Sequence, residues 1–136
     1  MSTPISNALR KLLDNHVESF EKLELLMFLR RAPDGSSTIG ELARSLDLGS
    51  DEVREIVAAL AAGGLVTRVD GTVTLAPRTP EQRAALDELA QIYDDDKITL
   101  VKAIAETAME RLRNLAGRAF AEAFVIRKKP GGNDDG

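Results

Sequence analysis

The chain has no cysteine and no tryptophan, and its 136 residues include one tyrosine and one histidine. Without cysteine there is no disulfide, no thiolate metal ligand and no cysteine nucleophile. A lone histidine, His16, provides no histidine cluster for zinc and little material for a hydrolytic triad. No Gly-rich phosphate loop, acid–base pair or nucleophile motif is present, so neither an enzyme nor a bound cofactor or metal is expected. Long apolar runs are missing too. The longest, Ile56 to Val66 (IVAALAAGGLV), is too short and too rich in glycine to span a bilayer. The opening MSTPISNALRK lacks the basic cap and apolar block of a secretory signal. A cytoplasmic protein of bacterial type, with no membrane partner, is the expectation. A basic balance is also lacking: 18 Lys and Arg face 22 Asp and Glu, for a net charge of −4. This is not the charge of a nonspecific nucleic-acid binder, although it leaves room for a local basic patch.

What is present is mostly Leu, Ala and charge. Hydrophobic residues make up 43% and charged ones 29%, as in soluble globular domains. A chain of this length can bury roughly two-thirds of its unfolded surface. Ile5, Leu9, Leu12, Leu13 and Val17 recur at helical spacing, and FEKLELLMFLRR places Phe20, Leu23, Leu26, Met27 and Leu29 on one broad face. Pro33 and Gly35 in APDGSS stop that helix. TIGE (Thr38 to Glu41) is a capping-box pattern, with the Thr38 hydroxyl accepting from the Glu41 amide and the Glu41 carboxylate reaching back to the Thr38 amide. It opens a short helix burying Leu42, Ala43 and Leu46. Gly49 then permits a tight turn and Ser50 caps a third helix, GSDEVREIVAALAAGGLVTR, that buries Val53, Ile56, Val57 and Leu60 and stops at Gly63-Gly64.

Two β-branched runs, LVTRV and TVTLAP, flank Asp70-Gly71, a strong short hairpin signal. Helix, short helix, turn, helix and hairpin together make a winged helix. Thr79-Pro80-Glu81-Gln82 starts another helix. Beyond Asp94 to Asp96, a repeat of seven runs through Ile98, Val101, Ala105, Ala108, Leu112, Leu115 and Ala119, with a break expected near Arg113 to Gly117. The expected fold is mainly α with a small β-hairpin: an N-terminal helical arm (1–18), a winged helix–turn–helix (19–78), a C-terminal helical dimerisation extension (79–126) and a disordered tail (127–136).

Over TIGELARSLDLGSDEVREIVAALAAGGLVTRVDGTVTL the chain resembles the winged helix–turn–helix superfamily in the style of MarR-like regulators. Phe20 to Pro77 carry the match, most tellingly Glu41-Leu42-Ala43, Val53, Leu60, Gly64-Leu65-Val66 and Arg68. The C-terminal part is similar to the ending of an uncharacterised group of bacterial winged-helix proteins, through Ala119 to Phe124 and Arg127 to Lys129. The resemblance implies a transcriptional regulator and supplies no ligand.

The third helix raises the main functional question, because its outer side offers Asp51, Glu52, Arg54 and Glu55, three acids against one base. If it reads duplex DNA, Ser50 and Arg54 meet base edges while Arg44, Arg68 and Arg78 follow the phosphates. Acids in a first turn also complement the helix dipole and face water, and affinity for duplex rests on cations. The competing expectation is a protein-interaction module docking a basic partner on Asp51, Glu52 and Glu55. A third is a ligand-responsive regulator with an apolar cleft beside the terminal helices, for which the sequence places no convergent polar groups. The seven-residue repeat (Val101, Ala105, Ala108, Leu112, Leu115, Ala119) is either a homodimer seam or a face packed on the chain's own core, the dimer being favoured. Three further features have plain expectations. YDDDK (Tyr93 to Lys97) suits a helix junction better than Mg²⁺, since adjacent acids point about 100° apart. His16 is a core or interface residue, and Arg127-Lys128-Lys129 complements a helix C-terminus rather than gripping phosphates or lipid.

Overall fold

A computed structural model describes residues 3–128. Six helices and three strands follow in order: α1 (Asn7–Asn15), α2 (Phe20–Arg31), β1 (Ser36–Thr38), α3 (Ile39–Leu46), α4 (Ser50–Ala62), β2 (Val66–Val69), β3 (Thr72–Leu75), α5 (Pro80–Asp95) and α6 (Lys97–Lys128). Serines start the first two helices: Ser6 accepts from the Leu9 amide and Ser19 from the Lys22 amide. α2 buries Leu23, Leu25, Leu26, Met27 and Leu29, positions spread around its circumference, so it runs through the middle of the core. Phe20, expected on that buried face, stands at the helix entrance and is 42% exposed.

The Thr38 hydroxyl caps α3 by accepting from the Glu41 amide at 3.1 Å. The other half of the expected box is not made. The Glu41 carboxylate accepts instead from the Ser37 hydroxyl at 2.9 Å, satisfying a buried polar group. The turn out of α3 is made by Asp47 in the left-handed region (φ 57°), not by Gly49 (φ −71°). Gly49 is the residue at which α4 is capped, without a side-chain acceptor. Ser50 is the first residue inside the helix, which corrects its expected role as cap. α4 buries Val53, Ile56, Val57 and Leu60 as expected. It ends at Gly63 and Gly64, and Gly64 takes φ +79°. A Cβ on Gly63 would lie 2.5 Å from Nδ1 of His16, so the half-buried ring of His16 closes over the end of α4 only because no side chain is there.

The hairpin forms about Asp70-Gly71 with Arg68 opposite Val73. The sheet nevertheless has three strands, not two, in the order β1-β3-β2. β1 pairs antiparallel with β3, Ser37 opposite Val73. α5 opens on the expected box of Thr79 and Gln82, and Nε2 of Gln82 also donates to the Gly63 carbonyl at 2.9 Å. α6 runs unbroken for 32 residues through Asn114 and Gly117, where a break was expected. One exposed glycine lowers helix propensity by about 1 kcal/mol but removes no backbone donor, so the ladder continues. Arg127 and Lys128, assigned to the tail, belong to this helix. The side chains of the Phe120 to Phe124 motif, Lys129 and the rest of the tail lie outside the described residues.

Asp96 occupies the junction between α5 and α6. Its Oδ2 accepts from the Thr99 hydroxyl (2.6 Å), the Thr3 hydroxyl (2.8 Å) and the Thr3 amide (3.2 Å), strapping the N-terminal arm to α6. These bonds, first those of the Thr99 and Thr3 hydroxyls, lower its pKa from 3.8 to about 2. A carboxylate depressed on folding stabilises above its unfolded pKa, and that contribution is lost as pH falls through the folded value. The Thr3 and Thr99 amide resonances are therefore expected to hold steady down to about pH 4 and to move together as pH falls toward about 2. Asp96→Asn is expected to abolish that titration; its persistence would place the strap elsewhere.

Candidate nucleic-acid interface and terminal-helix face

α4 stands with its aliphatic side in the core and its outer side bare. Ser50, Asp51, Glu52, Arg54, Glu55, Ala58 and Ala59 are all exposed, and Arg44 on α3 is exposed beside them in the helix–turn–helix. The candidate arginines are not equally available. Arg54 donates to Asp51 Oδ1 at 2.8 Å, one helical turn away. Such an exposed i,i+3 pair is worth a few tenths of a kcal/mol and breaks easily. Arg68 donates from Nε to the Asp70 carbonyl at 2.8 Å, which folds it onto its own hairpin turn. The Arg78 side chain lies against Gly64, where a Cβ would meet it at 3.3 Å. Glu52 and Glu55 enter no ion pair among the described residues. None of these attachments is read from the sequence: the Arg54–Asp51 pair joins two residues of one helix, and those of Arg68 and Arg78 depend on turn geometry.

α6 divides into two faces. Leu100, Ala103 and Ile104 are buried against the core. Farther along, the Thr107 hydroxyl donates to Asp14 Oδ1 at 3.1 Å, and Arg111 reaches Glu18 and the Asp14 carbonyl at the end of α1. The repeat of seven lies beside that strip, facing solvent. Ile98 is 67%, Val101 38%, Leu112 61% and Leu115 59% exposed, and Ala105, Ala108 and Ala119 are exposed with them. The repeat therefore does not pack on the chain's own core.

Among the described residues, no group of three His, Asp or Glu side chains is placed to hold a metal ion, and no helix is long and apolar enough to cross a membrane. Asp94 and Asp95 are exposed at the end of α5, and Asp96 serves the junction.

No protein-family profile and no curated protein matches the chain. Solved structures do. Ligand-free NadR superposes with a TM-score of 0.50 at 18% identity, over 82% of this chain and 82% of its own. A MarR family transcriptional regulator from Streptomyces coelicolor superposes with a TM-score of 0.51 at 20% identity, over 85% of this chain and 86% of its own. At such identities the likeness is one of shape. The chain thus has the MarR-type winged helix–turn–helix fold, carried between N- and C-terminal helices.

Proposed function

We propose that the chain is a homodimeric transcriptional regulator of winged-helix type that binds duplex DNA, rather than an enzyme, and that it acts in the cytoplasm. The observation that carries this is the bare outer side of α4 beside a three-stranded wing, its inner side anchored by Val53, Ile56, Val57 and Leu60. On this reading Ser50 and Arg54 face base edges, Arg54 exchanging Asp51 for the nucleic acid, and Arg44, Arg68 and Arg78 supply phosphate contacts. The exposed α6 repeat pairs two copies, so that two α4 helices meet half-sites about one duplex turn apart.

A second reading is supported by the surplus of acid on α4. With Arg54 neutralised by Asp51, the exposed first turns present Glu52 and Glu55, which suit a basic protein surface. One variant separates the two. Glu52→Lys with Glu55→Lys is expected to tighten binding of mixed duplex fragments in fluorescence anisotropy at low salt. It is also expected to steepen log K against log salt by about 0.9 for each additional phosphate that a lysine neutralises. Wild-type binding must itself weaken with salt. Absence of any salt-sensitive binding in both proteins would remove DNA, and loss of a bound protein partner in the variant alone would establish docking.

A further inference from the structure

An open groove of about 400 Å³ runs between the start of α2, the end of α3 with the turn that follows it, and the start of α6. Its apolar surface comes from Phe20, Leu46 and Leu48, and its acids are Glu21 and Glu24. The volume lies within the range, roughly 300–1,000 Å³, that small-molecule sites occupy.

One cation, Lys97, sits at its edge, between Phe20 of the lining and Tyr93 just behind it, whose ring also carries Arg31 at 5.7 Å. Nζ of Lys97 lies 5.2 Å from the centre of the Phe20 ring and 4.7 Å from that of Tyr93. It is 3.0 Å from Oε2 of Glu24, and both oxygens of that carboxylate accept from the Tyr93 hydroxyl. Two ring faces and an oriented carboxylate around one ammonium are the elements of a cation cage, here filled by the chain's own lysine. The filling is imperfect. The Lys97 side chain is 43% exposed, and of the two groove carboxylates only Glu24 pairs with it, Glu21 having no ion-pair partner among the described residues.

We propose that this groove binds a small organic cation, a quaternary or tertiary ammonium with an apolar arm, which takes the place of the Lys97 ammonium over Phe20 and Tyr93 and lays its arm along Leu46 and Leu48. A primary ammonium is compact and strongly hydrated, and Lys97 stands at the rim, where its displaced head regains water. A trialkylammonium gives up less hydration on entering and offers more surface to the rings, while Glu21 and Glu24 attract the charge. An anion of the same shape meets both carboxylates and is repelled.

Tyr93 is the only tyrosine and the chain has no tryptophan, so tyrosine fluorescence reports from the cage itself. Hexyltrimethylammonium, titrated below its micellar range, is expected to change that fluorescence saturably, with hexyl sulfate leaving it unchanged. Lys97→Met vacates the seat and is expected to tighten binding roughly tenfold, as removal of an internal competitor does. Phe20→Leu, at a half-exposed position, is expected to weaken binding by about the same factor with the circular dichroism spectrum preserved. Equal binding of hexyl sulfate would reduce the groove to a greasy surface. Unchanged affinity in Lys97→Met, or full affinity in a folded Phe20→Leu, would likewise overturn the cage; so would wild type and Lys97→Met both failing to bind.

Discussion

If two copies pair through α6 as proposed, Leu112→Glu with Leu115→Glu is expected to leave a monomer with the winged helix still folded. Both leucines are more than half exposed in the single chain, so neither carboxylate displaces a core contact. In a twofold seam the same positions close four leucine side chains, each worth about 1.5–3 kcal/mol on full burial, or roughly 6–12 kcal/mol together before the costs of association. Replacing them with four carboxylates removes that gain and adds like charge where water is excluded. A dissociation constant raised by a thousandfold or more is expected, each factor of ten being about 1.4 kcal/mol. Light scattering coupled to size exclusion reads the mass directly, and thermal denaturation checks the fold. A wild-type mass of one chain, or a variant mass of two, would take the interface off α6.

Leu60→Ala is expected to cost about 2–5 kcal/mol of stability, a large part of the 5–15 kcal/mol typical of a domain. Leu60 is fully buried on the inner side of α4, and truncation leaves a hole beneath the helix. Ala59→Ser, one residue away and exposed, is expected to change stability by no more than about 0.5 kcal/mol. Urea unfolding monitored by circular dichroism gives both values. The contrast tests the orientation of α4, since a helix rotated by about 100°, the angle between successive residues, would carry position 59 inward and position 60 toward solvent.

The parts of the molecule legible in its sequence are those decided by nearby residues. The Thr79–Gln82 box, the Asp70-Gly71 turn, the Gly64 stop and the buried side of α4 each depend on a few neighbouring positions, and each is found as read. β1 was not legible. Three residues, Ser-Ser-Thr, carry no alternation of apolar and polar, and the partner that makes them a strand is Val73 and its neighbours, far along the chain. Capping at Ser50 failed because several polar residues compete at a short turn, and the position that reverses the chain is Asp47. The break expected in α6 rested on propensity, which is weak beside an intact hydrogen-bond ladder. The cage went unread for a further reason. Phe20, Glu24, Tyr93 and Lys97 come from three helices, and although Tyr93 and Lys97 are near in sequence, only the approach of the α5–α6 junction to the start of α2 adds Phe20 and Glu24.

β1 also changes what kind of object the wing is. Because β3 lies between β2 and β1, and β1 passes directly into α3, the ribbon is stitched to the helix–turn–helix along its length. It cannot flap as a free two-stranded arm would. Any tilt of the ribbon has to carry α3 along, so ribbon and helix–turn–helix move as one piece.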